Sequence, residues 1–163
     1  MTVKKVIFSL VLVTAMLALS AGTTSGMAPG TFTATLTGSG EVPPVTTMAS
    51  GEATFIPSAD GTQLTYTLTV SGTSDIIASH IHLAPAGANG PVVAGLFGGP
   101  LTGPFDGVLA QGTITAAELK GPLAGMPLDA LVAEIKAGNT YVNVHTSANP
   151  PGEIRGQIVT PMP

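Results

Sequence analysis

From Thr31 onward, threonines and apolar residues trade places along the chain. Phe32, Ala34 and Leu36 alternate with Thr31, Thr33, Thr35 and Thr37, and Leu64, Tyr66, Leu68 and Val70 alternate with Thr65, Thr67 and Thr69. A period of two sends successive side chains to opposite faces of an extended strand, and β-branched threonine suits the wet face of a pleated sheet. Ser58-Ala59-Asp60-Gly61 separates the runs 53–56 and 63–70 and reads as a hairpin turn, with Gly61 supplying the positive φ such turns need. Further strands are predicted at 76–84, 91–97, 107–114, 140–147 and 153–160, with Gly and Pro in the gaps as in GSGEVPPV, APAGANGP and GGPLTGP. The pattern predicts an all-β domain of about eight short strands, a Greek-key β-sandwich or flattened barrel.

Two helical interruptions fall late in the chain. Thr115-Ala116-Ala117-Glu118 has the Thr-x-x-Glu spacing of a capping box, long enough for a single turn. Leu128, Leu131, Val132 and Ile135 then recur at helical spacing, with Lys136 near the negative end of the dipole and Gly138 placed to stop the helix. This second element is expected to be a short crossover helix packed on one edge of the sheets.

The first residues follow a different pattern. Lys4 and Lys5 precede an apolar run from Val6 to Leu19, broken only by Ser9 and Thr14, and small residues Ala18, Ser20, Ala21 and Gly22 follow. This is the order of a secretory signal, and the run is short of the roughly 20 residues a membrane-spanning helix needs. Residues 1–22 are read as a signal peptide cleaved after Ser20 or Gly22, 23–30 as a flexible lead, and 31–160 as one β domain. The expected location is secreted, periplasmic or cell-envelope, with no membrane anchor after cleavage. Removing the two leader lysines takes the net charge of −4 to −6 and leaves Lys120, Lys136 and Arg155 as the only basic residues. No basic patch remains for a phosphate backbone, so nucleic acid is excluded as a partner. The chain has no cysteine, which excludes a disulfide framework, a thiol nucleophile and thiolate metal ligation.

Candidate chemistry rests on three histidines, His80, His82 and His145. In a strand His80 and His82 share a face, with Cα atoms about 6.5–7 Å apart. The opposite face holds Ile77, Ile81 and Leu83, the more apolar set, so the pair is expected to point away from the core. The same test turns Val142 and Val144 inward and Tyr141, Asn143 and His145 outward, and in the last strand it turns Ile154 and Ile158 inward and Glu153, Arg155 and Gln157 outward. If these strands are neighbours, the outer face gathers His80, His82 and His145, with Asn143, Glu153 and Arg155 placed to support them. Neutral imidazole suits both copper and zinc, so a metal held by this surface cluster is one expectation. The other is structural: the imidazoles brace the loops 85–91 and 147–152 against the sheet. Asp75 and Glu153 are the carboxylates placed to assist them. No Gly-x-Ser-x-Gly elbow, phosphate-cradling loop or paired carboxylates occur, so no catalytic residue is assigned.

Three segments together resemble the CHRD (chordin-type) domain family: SHIHLAPAGANGPVVAGLF over 79–97, AGNTYVNVHTSANPPGEIRGQI over 137–158, and TATLTGSGEVPPV over 33–45 followed by Gly51-Glu52-Ala53. The resemblance covers nearly all of the chain after the leader. It implies a short exported β-rich module without an established enzymatic activity, a binding or structural unit whose extracellular protein or ligand partner is unknown. A looser similarity links the order His80, His82, His145 to the copper ligands of Cu,Zn superoxide dismutase. It implies the alternative of a single-metal copper redox enzyme of that type. The chain departs from that pattern: it has no further histidine for a bridging or zinc site and no disulfide, so a two-metal centre is excluded. Arg155 is the one cation expected on the histidine face to guide a substrate.

Overall fold

The computed structural model describes residues 30–160. The signal peptide read over 1–22 and all but the last residue of the lead read over 23–30 lie outside the described residues. Six antiparallel strands form one sheet: β1 (Phe32–Thr37), β2 (Ser50–Pro57), β3 (Leu64–Leu83), β4 (Val92–Ile114), β5 (Thr140–Thr146) and β6 (Ile154–Gln157). Their order is β2-β1-β6-β5-β3-β4, and β2 also pairs with β3. The second pairing closes β1, β2, β3, β5 and β6 into a five-stranded barrel, with β4 laid along the outside of β3. Closure leaves no free edge in the ring.

The all-β class and the barrel agree with the sequence pattern, while the strand count is six where eight were expected. The difference lies in two pairs of predicted strands that run on as one. The 20-residue β3 pairs with β2 through residues 64–71 and with β5 through residues 76–83. It turns from one neighbour to the other at an irregular stretch where Gly72 and Asp75 take positive φ of 67° and 50°. The 23-residue β4 likewise carries GGPLTGP inside the strand, as a run of bulges against β3. Glycine and proline mark bulges as well as turns, and alternation alone does not separate the two.

The turn after β2 forms as read. Ser58 N donates to Gln63 O at 2.8 Å, Asp60 Oδ1 accepts from Thr62 N at 3.1 Å, and Gly61 has φ 70°. Thr115 and Glu118 make the capping box on a single 3₁₀ turn. The one α-helix among the described residues, α1 (Leu128–Lys136), buries Leu128, Leu131 and Ile135 in the same core as Phe32, Phe55, Leu68, Ile81, Val142 and Ile154. No helix among the described residues is long and apolar enough to cross a membrane.

Candidate metal site

Register builds the site. On β3 and β5 the partners are Ala78 with His145, His80 with Asn143 and His82 with Tyr141, and on β5 and β6 they are Asn143 with Arg155 and Tyr141 with Gln157. Directly opposed residues share a face, so the neighbour relation the sequence left conditional holds, and one face of three adjacent strands carries the whole polar set. The other face departs from expectation at one residue. An irregularity between Ile76 and Ala78 shifts the alternation, so Ile76 is fully buried and Ile77 is 36% exposed. Ile81 is buried as read.

The histidine face is not open surface. Asn143 and Arg155 are each 2% exposed, His82 8% and Glu153 9%, because loops fold back over the outside of the barrel wall. The same polar side chains tie those loops down. His82 Nδ1 lies 2.9 Å from Gly90 O, and His145 Nδ1 lies 2.9 Å from Pro150 O. Arg155 donates to Ala88 O at 2.7 Å and to Asn89 Oδ1 at 3.1 Å. Gln157 donates to Ala84 O at 3.0 Å. The bracing of loops 85–91 and 147–152 is therefore present.

Bracing also determines what the rings have left to offer. A carbonyl only accepts, so in the neutral rings of His82 and His145 the proton sits on Nδ1 and Nε2 is a lone pair. His82 Nε2 is buried without a hydrogen-bond partner. His145 Nε2 lies 3.1 Å from His80 Nδ1. One ring nitrogen from each histidine falls within 4.8 Å of the others. Nitrogens bound to one ion at 2.0–2.1 Å stand about 3.3–3.6 Å apart, so small side-chain movements suffice to bring all three onto a copper or zinc ion. A ligating imidazole whose other nitrogen donates to a carbonyl is the usual outer arrangement of a metal site. His82 and His145 both have it, and the residues present fit a metal.

The electrostatics keep the rings in the ligating state. Burial, with the charges of His145, His82 and Lys120, pushes the pKa of His80 down to about 4. Burial, with the charges of His145 and Arg155, also lowers His82, against the Gly90 carbonyl and the Asn143 side chain, and burial lowers His145, against the Pro150 and Pro151 backbone. All three are neutral at pH 7.

Around the histidines stands a stack that sequence reasoning placed on this face without its contacts. Tyr141 lies flat on His82, with centroids 4.9 Å apart and planes 10° from parallel. Arg155 covers Tyr141 with its guanidinium carbon 3.3 Å from the ring centroid, a cation–π contact. Arg155 is thus committed beneath the loops and is not the guiding cation expected of it. Asn143 donates to Pro151 O at 3.3 Å and leaves its buried Oδ1 unpartnered. Glu153 accepts from Thr47 Oγ1 at 2.6 Å, and Asp75 accepts from Gly103 N at 2.9 Å. Each of these carboxylates therefore holds a loop or hairpin, and neither belongs to the histidine cluster.

Glu41 is the residue the sequence reading missed. It is 6% exposed with Oε1 unpartnered, and a Cβ on Gly152 would collide with both its carboxyl and the Asn143 amide. Burial, opposed by Arg155 and by the Val42 backbone, pushes its pKa up to about 7. A lone acid in a breaker-rich loop carries no periodic signal. Its only pointer was its place inside GSGEVPPV.

Neither the curated proteins nor the solved structures contain a match to this chain. A family model of the CHRD domain matches residues 32–158, from the first residue of β1 to just past β6. That span takes in the whole barrel, all three histidines and the loops they brace, and the chain belongs to the CHRD domain family.

Proposed function

We propose that the chain is an exported binding or structural module that holds one copper or zinc ion through His80, His82 and His145. The leader 1–22 is removed on export in this reading, and the β domain 31–160 acts outside the cytoplasm, a location in keeping with a family that is typically extracellular. The observation that carries the metal is the buried, unpartnered Nε2 of His82, converging with nitrogens of His80 and His145 inside 4.8 Å. A buried polar atom without a partner is costly, and an ion supplies one. His80 offers the ion the nitrogen that now faces His145, moving its proton to the other side of the ring. Asn143 and Arg155 support the site from below, Arg155 by fixing Tyr141 against His82. Glu153 supports it at one remove, through the loop that Thr47 anchors.

The test is metal analysis of full-length protein exported and purified without an affinity tag, followed by copper and zinc titration of wild type and His82→Ala. Wild type is expected to bind one equivalent. His82→Ala is expected to lose more than the roughly 10–100-fold that outer-shell changes cost, with an unchanged far-ultraviolet circular dichroism spectrum. Equal, weak binding in both proteins would remove the metal from the account and leave the histidines as braces.

A further inference from the structure

The ligand set is uncharged. Three neutral imidazoles and no carboxylate make up the cluster, so a divalent ion bound there would keep its double charge. Three protein ligands also leave a coordination position open, as in sites where zinc keeps a place for an outside ligand. His80 and His145 are only partly buried, so solvent reaches the cluster on their side.

A free cation stands beside it. Lys120 Nζ lies 3.6 Å from where a Cβ on Gly95 would stand, and Gly95 is the β4 partner of His80. Opposed residues of an antiparallel pair point to one face with Cβ atoms about 4.5–5.5 Å apart. The ammonium therefore sits on the histidine face, in the space that glycine leaves empty. Lys120 is exposed, and among the described residues no carboxylate pairs with its ammonium. Its backbone N–H is fixed to Val93 O at 2.9 Å, which anchors the side chain at this end of β4.

We propose that the open position takes a small monovalent anion, bound to the metal and held by Lys120. The proposal rests on the metal reading above. It assigns Lys120 a positioning role at the site and leaves the three histidines to bind the ion.

Azide is the probe. Full-length protein loaded with one equivalent of Cu(II) is titrated with sodium azide at constant ionic strength. The azide-to-copper charge-transfer band and the electron paramagnetic resonance spectrum are followed together. Wild type is expected to saturate. Lys120→Gln is expected to bind azide roughly 2- to 5-fold more weakly, the range of an exposed ion pair, with Lys120→Arg close to wild type and one equivalent of copper still bound in all three. Equal azide affinity in wild type and Lys120→Gln, or copper-loaded protein with no azide band, would overturn the proposal while sparing the metal site. Copper binding that survives His82→Ala unaltered would overturn both.

Discussion

Glu41 is held as an acid in a place where only its neutral form is comfortable. Its pKa rises from 4.5 to about 7, so between those values the folded protein keeps a proton that the unfolded chain has released. Stability from this residue is fully present below about pH 4.5 and is lost as pH rises through about 7. The three histidines act in the opposite sense: their lowered values give stability that is present above about pH 6.5 and lost on acidification. Substituting Glu41→Gln isolates the first effect, since the histidines are common to both proteins. Relative to wild type, the variant is expected to gain on the order of 2 kcal/mol between pH 4.5 and pH 8, read from urea unfolding at each pH. A wild-type-minus-variant difference that is flat with pH would show that the carboxyl is not desolvated as described. At this scale the sequence was informative for residues in strands and silent for residues in loops. The alternation turned His80, His82, His145, Asn143 and Arg155 to one face correctly, whereas Glu41 and Lys120 reach that face from connecting segments that carry no period.

The elements show where local pattern and tertiary arrangement part. Helix α1 was legible because its apolar stripe has one solution, and Leu128, Leu131 and Ile135 are buried as the spacing requires. The division of β3 and β4 was not legible, because a bulge and a turn use the same residues. The loops over the histidine face were readable as loops, but which backbone carbonyls they would present to the strand side chains was not. Arg155 is the side chain through which that arrangement can be tested at the element scale. It donates to Ala88 O and Asn89 Oδ1 while stacking on Tyr141, and a lysine cannot reproduce a planar fork that bonds and stacks at once. Arg155→Lys is expected to cost about 1.5–3 kcal/mol, the range for hydrogen bonds to a charged group. Amide exchange should quicken in residues 85–91 and stay unchanged in the β2–β3 turn at 58–63. Uniform quickening at both places would mean that the arginine supports the barrel as a whole and not this loop.

Taken whole, the molecule has two interiors separated by one barrel wall. Inside the ring lies the apolar core of Phe32, Phe55, Ile81, Val142 and Ile154, and outside it, under the loops, lies a polar layer of His82, Asn143, Glu153, Arg155 and Glu41. The first is what strand alternation encodes. The second depends on loops returning over the sheet, which is why a face expected to be wet is largely buried. Burial there keeps the imidazoles neutral, and the carbonyls of the returning loops decide which nitrogen of His82 and His145 stays free. Metal binding is thus tied to the architecture more closely than a His-x-His pair on an open strand would imply. The most direct measurement is X-ray absorption spectroscopy of full-length, untagged protein loaded with one equivalent of copper or zinc. The three-histidine site predicts a first shell containing three imidazole nitrogens at about 2.0–2.1 Å, falling to two in His82→Ala. A first shell with fewer than three imidazoles in wild type, or one that His82→Ala leaves unchanged, would contradict it.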